Sequence, residues 1–256
     1  MLLAIDAGNT NTTFAIFDGE KLVAQWRIST DPHRTADEFG VWLTQLMERE
    51  GLKPAAIRHA ILASVVPQAV FDLRTLAKRY FNTEMLVVGE PGVNVGVPVL
   101  IDRPAEVGAD RVVNAYAAWT RYSQALIVVD FGTATTFDVV SGKGEYIGGV
   151  IAPGVNLSLE ALEKAAARLP TIAIARPPKV IGTNTVAAMQ SGIYFGYVGL
   201  IEGITARIIE EYGKPMKVIA TGGLASLYAK ACPVIEEVSP DLTILGLRDI
   251  YALNRG

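Results

Sequence analysis

The sequence is poor in the residues that most often announce a function. It holds one cysteine, Cys232, which excludes an intrachain disulfide and argues against a thiolate metal site. Its two histidines, His33 in a polar turn and His59 near the start of an apolar run, have no serine or cysteine elbow and no third ligand nearby. Neither supports a triad or a zinc site. The P-loop pattern G-x-x-x-x-G-K-[ST] and the dinucleotide fingerprint G-x-G-x-x-G are both missing. Basic residues are not in excess: the formal net charge is -3, with no lysine or arginine cluster, so no nucleic-acid partner is expected. No uninterrupted apolar run approaches the roughly 18 residues of a membrane helix. The apolar start, residues 1–5, is cut off by Asp6 too soon for a signal peptide. These absences lead to the expectation of a soluble, cytoplasmic protein without a membrane partner.

What is present is a core-forming chain of 256 residues, 50% hydrophobic and 19% charged. The stretch "LLAIDAGNTNTTFAIFDG" (2–19) reads as a strand, a turn of small and polar residues, and a second strand. Asp18-Gly19 then predicts a hairpin into a third strand over 21–28. "ALIVVDFGTATTFDVVSG" (125–142) repeats the plan. Asp6 and Gly8 match Asp130 and Gly132, and Thr12-Thr13-Phe14 matches Thr135-Thr136-Phe137, the first turn being one residue longer. This looks like an internal duplication, and it predicts two α/β lobes with mixed sheets, 1–118 and 119–256. Between the meanders, Thr35 to Glu38 fits a capping box ahead of a helix, and Leu73 to Phe81 a second amphipathic helix. A buried strand is predicted within 57–66 and another over 85–89. In the second half, 157–168 and 184–211 read as helices, and 216–220 and 242–245 as strands. Residues 165–180 form a proline-bearing connection, a candidate flap.

A strand ending on Asp6 delivers its carboxylate to the sheet edge. Gly8 then lets backbone N–H groups approach an anion, and Asn9, Thr10, Asn11 and Thr12 add short donors. A carboxylate beside a phosphate repels it unless a cation lies between, so Asp6 and Asp130 read as ligands of metal ions or metal-bound waters. Two such turns facing one another would hold a nucleotide triphosphate. The plain alternative is two ordinary tight turns; the repetition, with the same Thr-Thr-Phe behind each, favours the site. Thr221-Gly222-Gly223 follows a strand and offers bare backbone to a flat ring, an expected adenosine contact, against a simple strand-to-helix turn. In "VGADR" (107–111), Asp110 either caps its helix or receives a hydroxyl proton, and Arg111 is suited to a two-pronged grip on a substrate carboxylate. Gly192, Gly196, Gly199 and Gly203 form one smooth helix face, open to packing against the chain's own sheet or against a second subunit.

"DAGNT" (6–10), "SVVP" (64–67), "VGADR" (107–111), "DFGTATTFD" (130–138), "GGVIAPG" (148–154), "ATGGLA" (220–225) and "LTILGL" (242–247) together resemble the type III pantothenate kinases over nearly the whole chain. The resemblance implies the actin-like and sugar-kinase-like fold with two RNase H-like lobes. It implies transfer of the ATP γ-phosphate to pantothenate, giving 4'-phosphopantothenate, the first step of coenzyme A synthesis. By that resemblance Asp6, Ala7, Gly8, Asn9, Thr10, Asn11, Thr12 and Thr13 surround the ATP phosphates and Thr133 also contacts ATP. Gly108, Ala109, Asp110 and Arg111 bind pantothenate with Asp110 as base, and Thr185 touches it from the second half. Asp130 holds potassium or ammonium, Asp6 acts through magnesium, and the protein is a homodimer. One departure stands out: where many members carry a tyrosine three residues before the proline preceding VGADR, here Pro104, this chain has Ile101, which lacks a hydroxyl.

With an ordinary carboxylate pKa of about 4, Asp110 would be a weak base that orients the hydroxyl and takes its proton late. The nearest rival is a kinase or phosphatase of the same superfamily acting on a sugar, acetate or polyphosphate. The rival of another class is a non-catalytic regulator like the Bvg accessory factors, which the family also resembles. Retention of Asp6, Asp110 and Asp130 favours the enzyme, since a binding module needs no base.

Overall fold

A computed structural model describes residues 1–165 and 170–255. The chain forms two compact units, Met1–Arg121 with Leu242–Gly256, and Tyr122–Asp241.

In the first unit, β1 (Leu2–Ala7), β2 (Asn11–Asp18) and β3 (Lys21–Ser29) form an antiparallel meander, and β4 (His59–Ser64) and β5 (Met85–Val87) extend it in parallel, in the order β3-β2-β1-β4-β5. The apolar run of β1 is continuous because both its faces are covered. Leu3 and Ile5 point into a core with Phe14, Ile16, Phe39, Leu43, Leu73 and Leu76, while Leu2 and Ala4 meet Phe17, Ile61, Leu247 and Ile250. The hairpin closes through Gly19-Glu20, one residue later than expected: Asp18 still pairs with Lys21, and Gly19 takes φ +58°.

Helix α1 (Ala36–Arg49) starts at the expected capping box, with Thr35 accepting from the Glu38 N–H and Glu38 accepting from the Thr35 N–H. Helix α2 (Pro67–Phe81) starts earlier than the apolar spacing indicated, because Pro67, which ends the strand segment, is itself the first helical residue. Helix α3 (Ala109–Tyr122) begins inside VGADR.

The second unit repeats the first. β6 (Leu126–Phe131), β7 (Ala134–Val140) and β8 (Tyr146–Pro153) form the meander, and β9 (Lys217–Gly222) and β10 (Glu237–Val238) extend it in parallel, in the order β10-β9-β6-β7-β8. The correspondence reaches single residues: the register of the meander slips at Ile16/Phe17 in one copy and at Val139/Val140 in the other, at the same distance beyond the shared Thr-Thr-Phe. Helices α4 (Val155–Ala165), α5 (Thr185–Tyr212) and α6 (Ala225–Ala229) complete the unit. Residues 166–169 of the expected helix and flap lie outside the described residues.

The strand expected at 242–245 is instead the first turn of helix α7 (Leu242–Leu253). A stretch as short as Leu-Thr-Ile-Leu shows no periodicity that separates a strand from a buried helix. Ile244, Leu247 and Ile250 enter the core around Leu2 and Phe17, and Thr243 donates to Asn114 at 2.7 Å. At Gly246 a Cβ would lie 2.7 Å from the Val113 carbonyl, so α7 packs directly on the backbone of α3. Residues 242–256 therefore sit with the first unit, whereas a division at 118/119 assigns them to the second lobe.

Helix α5, among the described residues, is the one helix long and apolar enough to cross a membrane by length and composition. Its apolar residues have another use: Met189, Ile193, Tyr194, Tyr197 and Ile201 enter the core of the second unit.

Candidate functional site

In the first unit, β1 ends at Ala7 and β2 resumes at Asn11, so Gly8, Asn9 and Thr10 form the turn. The Gly8 N–H donates to the Asn11 carbonyl at 3.1 Å. Asn9, Thr10 and Asn11 are exposed, whereas Ala7, Thr12 and Thr13 are buried in the sheet. Thr30, the residue after β3, touches the turn three times: its N–H donates to Thr10 O (2.9 Å), and its hydroxyl bonds the Gly8 carbonyl (2.6 Å) and the Thr12 hydroxyl (2.8 Å). On the other side of β1, the Val65 N–H donates to the Ala7 carbonyl at 3.1 Å.

The second turn obeys the same ladder. Asp130 pairs with Thr136 and Thr221, as Asp6 pairs with Thr13 and Ala63. Gly132 donates to the Ala134 carbonyl (3.0 Å), Gly154 after β8 donates to Thr133 (3.1 Å), and Gly223 after β9 donates to Phe131 (3.2 Å). Thr133 is exposed.

The two glycines expected to face adenosine differ from one another. Gly222 has φ +88°, and a Cβ there would lie 2.5 Å from Asp130 Oδ1 and 2.6 Å from the Phe131 carbonyl. Its bare face is taken by the Asp130 carboxylate. Gly223 has nothing among the described residues within 4 Å of its Cβ position and offers open backbone.

The VGADR segment sets Asp110 in the first turn of α3. Asp110 Oδ1 accepts the Arg111 N–H at 2.8 Å, and a Cβ on Gly108 would lie 2.6 Å from that same oxygen. Glycine again makes room for a carboxylate. Capping and functional readings of Asp110 are thus compatible, since one oxygen bonds the helix start. Its pKa, however, is not the ordinary one expected. Burial raises it, against the lowering effect of the Arg111 N–H and guanidinium, so Asp110 is a stronger base than a surface aspartate. Ile101 is partly buried in the segment before the turn Pro104–Glu106.

Thr185 opens α5, whose cap is Asn184, its side chain accepting from the Ala187 N–H at 2.9 Å. Thr185 lines a cleft of about 570 Å³ with Thr183, Asn184, Leu162, Met189 and Gly192. The glycine face of the same helix is open: Cβ atoms on Gly192, Gly196 and Gly199 would meet nothing within 4 Å among the described residues. These three positions are exposed and do not pack on the described strands.

Sequence reasoning missed two groups. One is Thr30, which belongs to no motif. The other is the fully buried Asp138, which accepts hydroxyls from Tyr146 (3.0 Å) and Thr136 (3.1 Å), the latter opposite Asp130 in the ladder. The spacing of Thr136 and Asp138 in a strand puts them on one face and was the available signal. Cys232 is buried and its thiol is pushed up to about 11, as suits a packing residue.

Among the described residues no cluster of three or more histidine, cysteine, aspartate or glutamate side chains could hold a metal alone. Single carboxylates among hydroxyls and backbone oxygens suit hard cations that take their remaining ligands from water and phosphate.

The family profile of type III pantothenate kinase matches residues 2–207. The chain belongs to the type III pantothenate kinases. It is 61% identical over 254 residues to the type III pantothenate kinase of Paramagnetospirillum magneticum, covering 99% of this chain and 98% of that one. It is 60% identical over 255 residues to that of Rhodospirillum rubrum, covering 100% and 99%. A Baf-family protein of Campylobacter jejuni shares the fold, with TM-score 0.61, 20% identity and 98% of each chain covered. So does the ethanolamine utilization protein EutJ of Carboxydothermus hydrogenoformans, with TM-score 0.54, 15% identity, and 96% and 88% covered. As a type III pantothenate kinase the chain is a kinase that phosphorylates pantothenate with ATP in coenzyme A biosynthesis.

Proposed function

We propose that Asp110 is the base of this reaction, and the observation that carries it is its burial-raised carboxylate, held at the start of α3 in the space that Gly108 leaves. The pantothenate hydroxyl oxygen forms a bond to the γ-phosphorus of ATP, the bond from that phosphorus to the oxygen bridging to the β-phosphate breaks, and the hydroxyl proton passes to Asp110. Because such transition states are loose, orienting the hydroxyl counts for more than early deprotonation. Arg111 pairs with the substrate carboxylate, and Gly108 and Ala109 bring backbone close to it. Ile101 covers an apolar part of the substrate without donating to it.

The phosphates are received by the first turn, chiefly by the exposed Asn9, Thr10 and Asn11 and by backbone N–H groups from Gly8 onward, with Asp6, Ala7, Thr12 and Thr13 framing that turn from the strands, and also by Thr133. Gly223 receives the adenosine, while Gly222, the other glycine expected there, makes room for the Asp130 carboxylate. Asp6 would hold magnesium, directly or through water, and Asp130 would hold potassium or ammonium; when bound, these cations offset charge on the phosphates. Thr185 contributes to the pantothenate site, and the open Gly192, Gly196 and Gly199 face supports a homodimer in which α5 meets its copy. The reading places the enzyme in the cytoplasm and includes neither nucleic acid nor membrane.

The test is release of ADP with ATP, magnesium and pantothenate, in potassium and in sodium. Pantothenate-dependent release that needs potassium is expected. Release indifferent to pantothenate would overturn the acceptor, and equal rates in the two salts would overturn the role of Asp130.

A further inference from the structure

We propose that Thr30 is a positioning residue of the ATP site, its hydroxyl holding the first turn in the shape that receives phosphate. The proposal rests on the reading of residues 8–11 as a phosphate turn. A hydroxyl carries one proton, and a carbonyl can only accept. The Thr30 proton therefore goes to the Gly8 carbonyl at 2.6 Å, and the 2.8 Å contact with Thr12 has Thr12 as donor. Two consequences follow for the chemistry of the turn.

First, the Thr12 proton is spent inside the protein. With its residue 1% exposed, Thr12 offers a phosphate nothing. The donors of the turn are its backbone N–H groups and the side chains of Asn9, Thr10 and Asn11. Second, the Gly8 carbonyl and the Asn9 N–H share one peptide group, which is trans. In a trans peptide these two groups point in opposite directions. Drawing the carbonyl toward Thr30 turns the Asn9 N–H away from Thr30 and fixes its direction in the turn.

The other copy of the turn shows why the brace is needed. Gly154 stands where Thr30 stands, after the third strand of the meander, and makes the same backbone bond, to Thr133. A Cβ there would lie 2.2 Å from the Thr133 carbonyl and 2.8 Å from that of Gly132. The shorter second turn presses on its neighbour and has no room for a side chain. The longer first turn leaves a gap, and the Thr30 hydroxyl fills it.

The test compares Thr30→Val, Thr30→Ser and Thr12→Val by calorimetry with magnesium and ATP and by steady-state kinetics. Thr30→Val should weaken ATP binding about five- to tenfold, the worth of one well-made hydrogen bond. KM for pantothenate should not change, and Thr30→Ser should restore ATP affinity. Thr12→Val, which keeps the bond from Thr30 to Gly8, should weaken ATP binding less than threefold. Equal loss of affinity for both substrates in Thr30→Val, or no loss for either, overturns the proposal. Should Thr30→Val not fold, Thr12→Val decides: a tenfold loss of ATP affinity would make Thr12 a phosphate donor and overturn it. Asp6→Asn is the control for the underlying reading. If Asp6→Asn weakens ATP binding and Thr30→Val does not, only the brace fails; if neither does, the phosphate turn fails with it.

Discussion

The first and second turns grow from one ladder but are secured in different ways. Each follows a central strand ending in Asp-x-Gly, each is bonded by the residue after the meander's third strand, and each is bonded by the residue after the neighbouring parallel strand. In the first unit side chains do the securing: Thr30 holds the turn, and Ser64, at the position of Gly222, bonds the Val66 backbone instead. In the second unit glycines do it by being absent from space, Gly154 yielding to Thr133 and Gly222 to the Asp130 carboxylate. Duplication copied the backbone, and the two copies then diverged by filling or emptying the same positions. A turn that keeps side chains around it is adjusted by hydrogen bonds, while one without them is set by contact.

The largest expected effect would separate both turns from the chemistry. Asp110→Asn should lower turnover at least about a hundredfold, the lower range for loss of a general base, with ATP affinity nearly unchanged. A comparable loss of ATP affinity would return the chemistry to the turns. Next, Gly222→Ala should be far more harmful than Ser64→Ala. The methyl meets Asp130 and the Phe131 backbone, and the residue holds a positive φ, a cost of about 2 kcal/mol or more, against about 1 kcal/mol or less for the serine. Thermal melting of the two variants checks this, and similar losses would remove the distinction between filled and emptied turns.

A smaller effect distinguishes the carboxylates themselves. Asp130→Asn should abolish the preference for potassium over sodium, while Asp6→Asn should keep that preference and raise the magnesium requirement severalfold. Rates in matched salts would show this, and the same response in both variants would merge the two roles. The smallest effect concerns pH. Burial favours protonated Asp110, so its contribution to stability is fully present below the unfolded value near 3.8 and is lost as pH rises through the raised folded value. At neutral pH the Asp110→Asn protein should therefore melt slightly higher than the unmodified one, and the gap should close in acid. The acidic limb of kcat/KM should also lie above 3.8, the value of an ordinary aspartate. A limb at or below 3.8 would contradict the buried base.

Both meanders, their shared Asp-x-Gly turns and the capped helix after Thr35 were legible because each rests on a local rule: alternation or continuity of apolar residues, turn chemistry, and capping. The strand expected at 242–245 failed because a four-residue stretch, Leu-Thr-Ile-Leu, is too short to separate a strand from a helix, and the choice was made by Val113 and Ala117 of α3, against which Gly246 packs. Thr30 was invisible for a related reason: a threonine after a strand is ordinary until the chain brings it back to residue 8.

The sequence alone determined the repeated sheet, the order of its strands within each meander and the residue types at the turns, since these depend on neighbours within a few positions. Tertiary structure decided which unit claims α7, that Gly222 yields to Asp130 while Gly223 stays open, where the Thr12 proton goes, and that Asp110 is a stronger base than its type suggests. Each of these depends on atoms brought together from distant parts of the chain, where burial and contact at ångström range, not local preference, set the energy.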